Sequence, residues 1–157
     1  MLEFFQWMEG LVISGILRNS PVLGPGINVV HLLALTVFAG ALLIVDLRLL
    51  GSGLTRQPLA RLARDAQPWL IGGFIGLAIT GTLQLMSTGT KQYYSSFFWM
   101  KMEILLTALV FTFTLRRWVT QMDEARVGPV WGKVVGLVSI TLWTTVTVGA
   151  RLIGLLS

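Results

Sequence analysis

The chemistry this sequence can offer rests on few side chains: one histidine, His31, and a handful of charged residues placed inside or beside long apolar runs. These are Asp46, Arg48, Lys101, Glu103 and Arg151. An imidazole can ligate a metal or haem iron, move a proton or hydrogen-bond a ligand. One imidazole per chain means that a b-type haem between helices needs a Met or a second chain as its other ligand. Imidazole with thioether suits Cu(I), and Met8, Met86, Met100 and Met102 supply thioethers, so His31 and Met86 form the metal-ligating candidate pair. The cationic set His31, Lys101 and Arg151, with Gln84 as a neutral polar group, points instead to a quinone, a lipid or an anionic small molecule. Each residue also has a plain reading. Long cations near helix ends snorkel to water, methionine fills gaps, and an isolated histidine commonly satisfies a neighbouring helix. Zero Cys excludes disulfides, thiolate metal sites and a cysteine nucleophile.

The elements that must position these residues are membrane spans. The chain has 157 residues, 54% hydrophobic and 12% charged, with a mean hydropathy of +0.76. That is far more apolar than a soluble domain. The stretch 28–51 holds 24 apolar-rich positions, its span set at 28–50, enough to cross a bilayer core of roughly 30 Å, and carries His31 near one end and Asp46 and Arg48 near the other. Residues 69–87 form a second span with Gly73, Gly76, Thr80, Gln84 and Ser87 on one stripe, the pattern of close helix packing. Residues 97–115 form the third, stopped by Arg116 and Arg117, and 130–156 the fourth. Residues 2–18 read as an amphipathic helix in the interface, Phe and Trp at headgroup depth, broken by Asn19-Ser20-Pro21 and Gly24-Pro25-Gly26. The fold class is therefore an all-α integral membrane protein, a single four-helix bundle preceded by an interfacial helix.

The net charge of +5 sits in short connections, not on one patch, and so argues topology and against nucleic acid. The two basic connections, 51–66 and 116–133, are expected to be cytoplasmic, which turns both termini outward. His31, Gln84, Met86, Lys101, Glu103 and Arg151 then share the outer depth on four helices, where a cavity is expected. Lys101 and Glu103, two residues apart, cannot both face the core. Lys101 inward favours an anionic or quinone-like ligand; Glu103 inward favours a metal or a proton. Thr144 and Thr147 share a face with Arg151 and suggest a polar interior stripe on the fourth span. Asp46 and Arg48, about 22 Å away along the helix, are expected to be structural and to bond loop backbone or a cation such as Arg61.

The motifs IL-R-x-S before Pro21, His31 followed by DLRLLG at 46–51, PW…GF…TG at 68–81, YY…F…K at 93–101 and W-x5-GAR-x-IG at 143–154 resemble an uncharacterised family of small bacterial four-helix membrane proteins. More distantly the chain resembles copper-resistance protein D and cytochrome b561-like proteins. The resemblance implies a bacterial inner-membrane bundle with His31, Asp46, Arg48, Lys101 and Arg151 as its polar set. It supplies a fold and no reaction.

The sequence has no G-x-S-x-G, H-E-x-x-H, P-loop or post-strand G-x-G-x-x-G, so no enzymatic activity is expected. Two function classes stay open. One is an accessory subunit that binds haem, copper, a quinone or another small ligand; the other is a structural or assembly subunit of a larger membrane complex or homo-oligomer.

Overall fold

The computed structural model describes residues 1–122 and 124–156, and they are predominantly helical, with no strand among them. Two short helices, α1 (Leu2–Glu9) and α2 (Val12–Asn19), precede α3 (Leu23–Leu49) and α4 (Leu59–Tyr93). Next comes α5 (Ser96–Phe111), which widens into a π-helical turn over Thr112–Arg116 and continues as α6 (Arg117–Gln121). The last helix is α7 (Glu124–Leu156). Four stretches, Leu23–Leu49, Leu59–Tyr93, Ser96–Gln121 and Ala125–Leu152, are long and apolar enough to cross a membrane. The chain is a multi-pass membrane protein by that criterion.

Helix α3 is central, packing along α4 and α7, while α5 packs against α7. The small-residue stripe of α4 makes the first of these contacts close: a Cβ on Gly73 would lie 2.8 Å from the Phe38 backbone nitrogen, and one on Gly76 would lie 3.0 Å from Ala34 Cβ. Phe38, Ala41, Leu42 and Leu70 form one buried cluster, with Phe74, Phe113 and Trp143 around it. Val45, Leu49, Leu59, Leu62, Val119 and Val135 form another.

Several boundaries differ from those expected. Helix α3 starts before Gly24-Pro25-Gly26, because proline in a first helical turn lacks only an N–H that has no partner there anyway. Helix α4 begins ten residues before Trp69 and runs through Pro68, since Leu59, Leu62, Ala66 and Leu70 recur at helical spacing and bury against α3. Its helical dihedrals lapse at Thr88. Helix α7 is broken at Gly128, whose φ of 69° and extended ψ place Pro129 at the start of a new helical run.

The N-terminal stretch is two helices, not one, and not all of its aromatic residues face outward. Phe4 and Trp7 are exposed, whereas Phe5 and Met8 are buried against Phe98, Leu85, Met86, Tyr93 and Trp99. Ser14 Oγ donates to Met8 O (2.5 Å) and Arg18 Nη2 to Glu9 O (2.9 Å), tying α2 to α1. Glu9 fastens the pair to α4: Thr90 N–H donates to Oε1 (3.1 Å) and the Thr90 hydroxyl to Oε2. The Thr90 hydroxyl, helped by the Thr90 N–H and Arg18 against slight burial, holds the Glu9 carboxyl below the ordinary carboxylate range. A depressed folded value means that this contribution is complete above the unfolded pKa and is lost as pH falls through the lower folded one. Acidification should therefore loosen the N-terminal helices before the bundle melts. Limited proteolysis across a pH series reads this directly, and Glu9→Gln should loosen the segment at neutral pH and remove its acid dependence.

Candidate functional site

The polar groups of the chain separate into two assemblies at opposite ends of α3. At the first, His31 lies half-buried against α4, its Nδ1 2.7 Å from Thr80 Oγ1, with Gly81 leaving room beside the ring. Thr80 Oγ1 in turn donates to Gly76 O at 2.6 Å. A hydroxyl has one proton. With that proton on the Gly76 carbonyl, the network assigns the neutral imidazole its hydrogen on Nδ1, donated to Thr80, and leaves Nε2 with its lone pair. This is how an imidazole is oriented when its other nitrogen serves a ligand.

Lys101 of α5 lies half-buried within electrostatic reach of the imidazole, and no carboxylate pairs with it among the described residues. Glu103 faces outward, exposed, as its two-residue offset from Lys101 requires. One turn beyond Thr80, Gln84 has a buried Nε2 with no hydrogen-bond partner among the described residues. Such a donor, left unmatched in an apolar surrounding, costs about 1–3 kcal/mol. At this end of the bundle His31 is held by Thr80, Lys101 lies within electrostatic reach of the imidazole, and Gln84 stands one turn beyond Thr80 on α4.

Arg151 is exposed, and so are Thr144 and Thr147; the interior stripe expected on the fourth span is therefore absent from that face. Thr147 Oγ1 satisfies itself by donating to Trp143 O, and the inward positions of α7 are held by Val135, Ser139, Trp143 and Val146. The methionines do not join His31 either. Met8 and Met86 pack in the aromatic cluster around Phe5 and Phe98, and Met100 and Met102 are exposed. No three His, Asp or Glu side chains gather among the described residues. The hydroxyl of Thr80 beside the imidazole does not make a Cu(I) donor set, and no described methionine or second imidazole stands by His31 to serve as another axial ligand to a haem iron.

The second assembly contains the residue that sequence reading missed. Asp46, only 1% exposed, accepts from Arg116 Nε (2.9 Å) on Oδ1 and from Ser139 Oγ (2.6 Å) on Oδ2. Arg116, 5% exposed, also donates through Nη2 to Leu42 O at 3.2 Å. The partner of Asp46 is thus neither Arg61 nor loop backbone. Arg116 is not a span-ending charge; it points into the bundle. Residues four apart drift about 40° around an α-helix. The π-helical turn takes up part of that drift and keeps Ala108, Thr112, Arg116 and Thr120, all buried, on one face. Thr112 Oγ1 there accepts from Trp143 Nε1 at 3.0 Å. Arg48 does bond loop backbone, its Nε donating to Gln57 O at 2.9 Å. A cavity of about 10 Å³, the size of one water, lies beside Arg116, Gln67, Thr112 and Thr120.

Comparison with curated proteins and with solved structures gives no match for this chain. A protein family does match, over residues 4–156, nearly the whole length. The His31 cluster and the Asp46–Arg116–Ser139 triad both lie within that span, and the chain belongs to the family of unknown function DUF6644.

Proposed function

We propose that this chain is a non-catalytic membrane subunit that binds an acidic or carbonyl-bearing small molecule, of the quinone type, at the His31 end. The observation that carries the reading is the surplus of donors there: the buried Nε2 of Gln84, unmatched among the described residues, and the half-buried Lys101. A ligand that completes the site brings oxygen acceptors, which a quinone or carboxylate does and a bare metal ion does not. His31 Nε2 adds one acceptor for a ligand hydroxyl, the group a reduced quinone carries. The Lys101 and Glu103 directions favour the same choice. Localisation to the bacterial inner membrane follows from the family resemblance, and the basic connections 51–66 and 116–133 support N-out, C-out topology. In that orientation the site faces the outer leaflet. The absence of catalytic motifs supports a binding role, within a larger membrane complex or a homo-oligomer.

Purified protein in lipid nanodiscs should quench saturably in tryptophan fluorescence when decylubiquinone is added. A hydrogen bond to a charged donor is worth about 1.5–3 kcal/mol, so Lys101→Met should weaken binding roughly tenfold or more. Gln84→Leu should weaken it less, and Arg151→Gln should leave it unchanged. Equal affinity in all four proteins, or no saturable binding, overturns the reading and leaves the structural-subunit alternative.

A further inference from the structure

Beside the buried pair of Asp46 and Arg116, the structure leaves a cavity of about 10 Å³ between α3, α4 and the π-helical turn, room for one water molecule. The small side chains of Ala41, Ala63 and Ala66 keep it open, while Gln67, Thr112, Arg116 and Thr120 bring polar atoms to its wall. Arg116 donates through Nε to Asp46 and through Nη2 to Leu42 O, fewer bonds than a guanidinium has N–H groups. Thr112 Oγ1 accepts from Trp143 Nε1 and keeps its own proton to give. Thr120 Oγ1 donates to Arg117 O and keeps its lone pairs. Gln67, half-buried on α4, makes no side-chain hydrogen bond among the described residues. Thr112, Arg116 and Thr120 are 2%, 5% and 3% exposed, so open valences on them carry a desolvation cost.

We infer that this cavity binds one structural water, and that through it α4 joins the polar assembly that Asp46, Arg116 and Ser139 build from the other three spans. The valences match. Arg116 and the Thr112 hydroxyl donate to the water oxygen, and the water donates to Gln67 Oε1 and Thr120 Oγ1, a full set of partners for a buried water. A metal cation is excluded by the guanidinium, and the volume of a single water leaves no room for a larger anion. Inside a span such a water satisfies groups that hydrocarbon cannot. Gln67 is thereby a positioning residue for Arg116, acting through the water. The assignment is independent of the His31 reading, since it uses residues toward the other end of α3.

A crystal structure of the full chain, at a resolution that shows ordered water, tests it on the unaltered protein. One water should lie within hydrogen-bonding distance of Arg116, Gln67 and at least one of the two threonines. A dry cavity, a Gln67 amide bonded directly to Arg116, or density heavier than water overturns the inference. Stability supplies a second reading. Gln67→Met keeps the length of the side chain and removes its amide, so it should raise the unfolding constant in mild detergent about fivefold, the worth of one net hydrogen bond. Gln121→Met, at an exposed position outside the cavity, should leave that constant unchanged. If Gln67 faced only lipid, the same substitution would leave the protein as stable or make it more so. Stability of Gln67→Met equal to or above that of the parent therefore also overturns the link to α4.

Discussion

Asp46→Ala is expected to destabilise the bundle by about 3–5 kcal/mol, the cost of stranding a buried guanidinium without its counter-charge. Arg116 is then left with the Leu42 carbonyl as its remaining partner among the described residues, and Ser139 loses its acceptor. Arg116→Ala should cost a similar amount, since the same pair is broken from the other side. The double variant Asp46→Leu/Arg116→Met should recover most of the loss, because well-packed apolar residues replace a buried pair at little cost. Unfolding monitored by circular dichroism in mild detergent gives all three values. Double-variant destabilisation equal to the sum of the single ones would mean that the two residues act independently, against the 2.9 Å contact. Decylubiquinone binding at the far end, measured in whichever variants stay folded, should be unaffected.

Gly73→Leu should be nearly as damaging for a different reason. Its Cβ alone would sit within 2.9 Å of Phe38 N, Cα and Cβ, so backbone must move before any larger side chain fits. Overpacking of a tight interface costs about 1–3 kcal/mol, and the upper part of that range is expected where the obstruction is main chain. Gly72→Leu is the matched control, because a Cβ at Gly72 meets nothing within 4 Å and the position is exposed. Comparable melting of the two variants would show that α3 and α4 are not held at the distance described.

What was legible in the sequence followed from solvent and period. Four apolar runs, the close-packing stripe Gly73–Gly76–Thr80 and the opposite facing of Lys101 and Glu103 all come from composition and a 3.6-residue repeat. Less visible was the extension of α4 back to Leu59, whose apolar face was masked by Arg61 and Arg64 on the exposed side. The pairing of Asp46 with Arg116 was hidden more deeply. Arg116 and Arg117 look alike in sequence, and which of them faces the bundle depends on helix phase, which the π-helical turn over Thr112–Arg116 shifts. At the His31 end, His31, Gln84 and Lys101 are partly buried, while Arg151 is exposed. The threonines beside Arg151 misled because a threonine on a helix can satisfy its hydroxyl on its own backbone, as Thr147 does. Thr80, the residue that orients His31, was first read as a small packing residue; its position one turn before Gln84 was the available signal.

The central claim, that His31 is held by Thr80 with Nε2 free for a ligand, can be measured on a single residue. The chain has one histidine, so nitrogen-15 imidazole labelling gives one pair of ring signals. Recorded at about pH 8, above the ordinary imidazole value, the spectrum should show a protonated Nδ1 and an unprotonated Nε2. Thr80→Val should erase the tautomer preference, and a reduced short-chain quinone should shift the Nε2 signal alone. A proton on Nε2 in the unliganded protein, or a ring indifferent to both Thr80→Val and the quinol, would contradict the account.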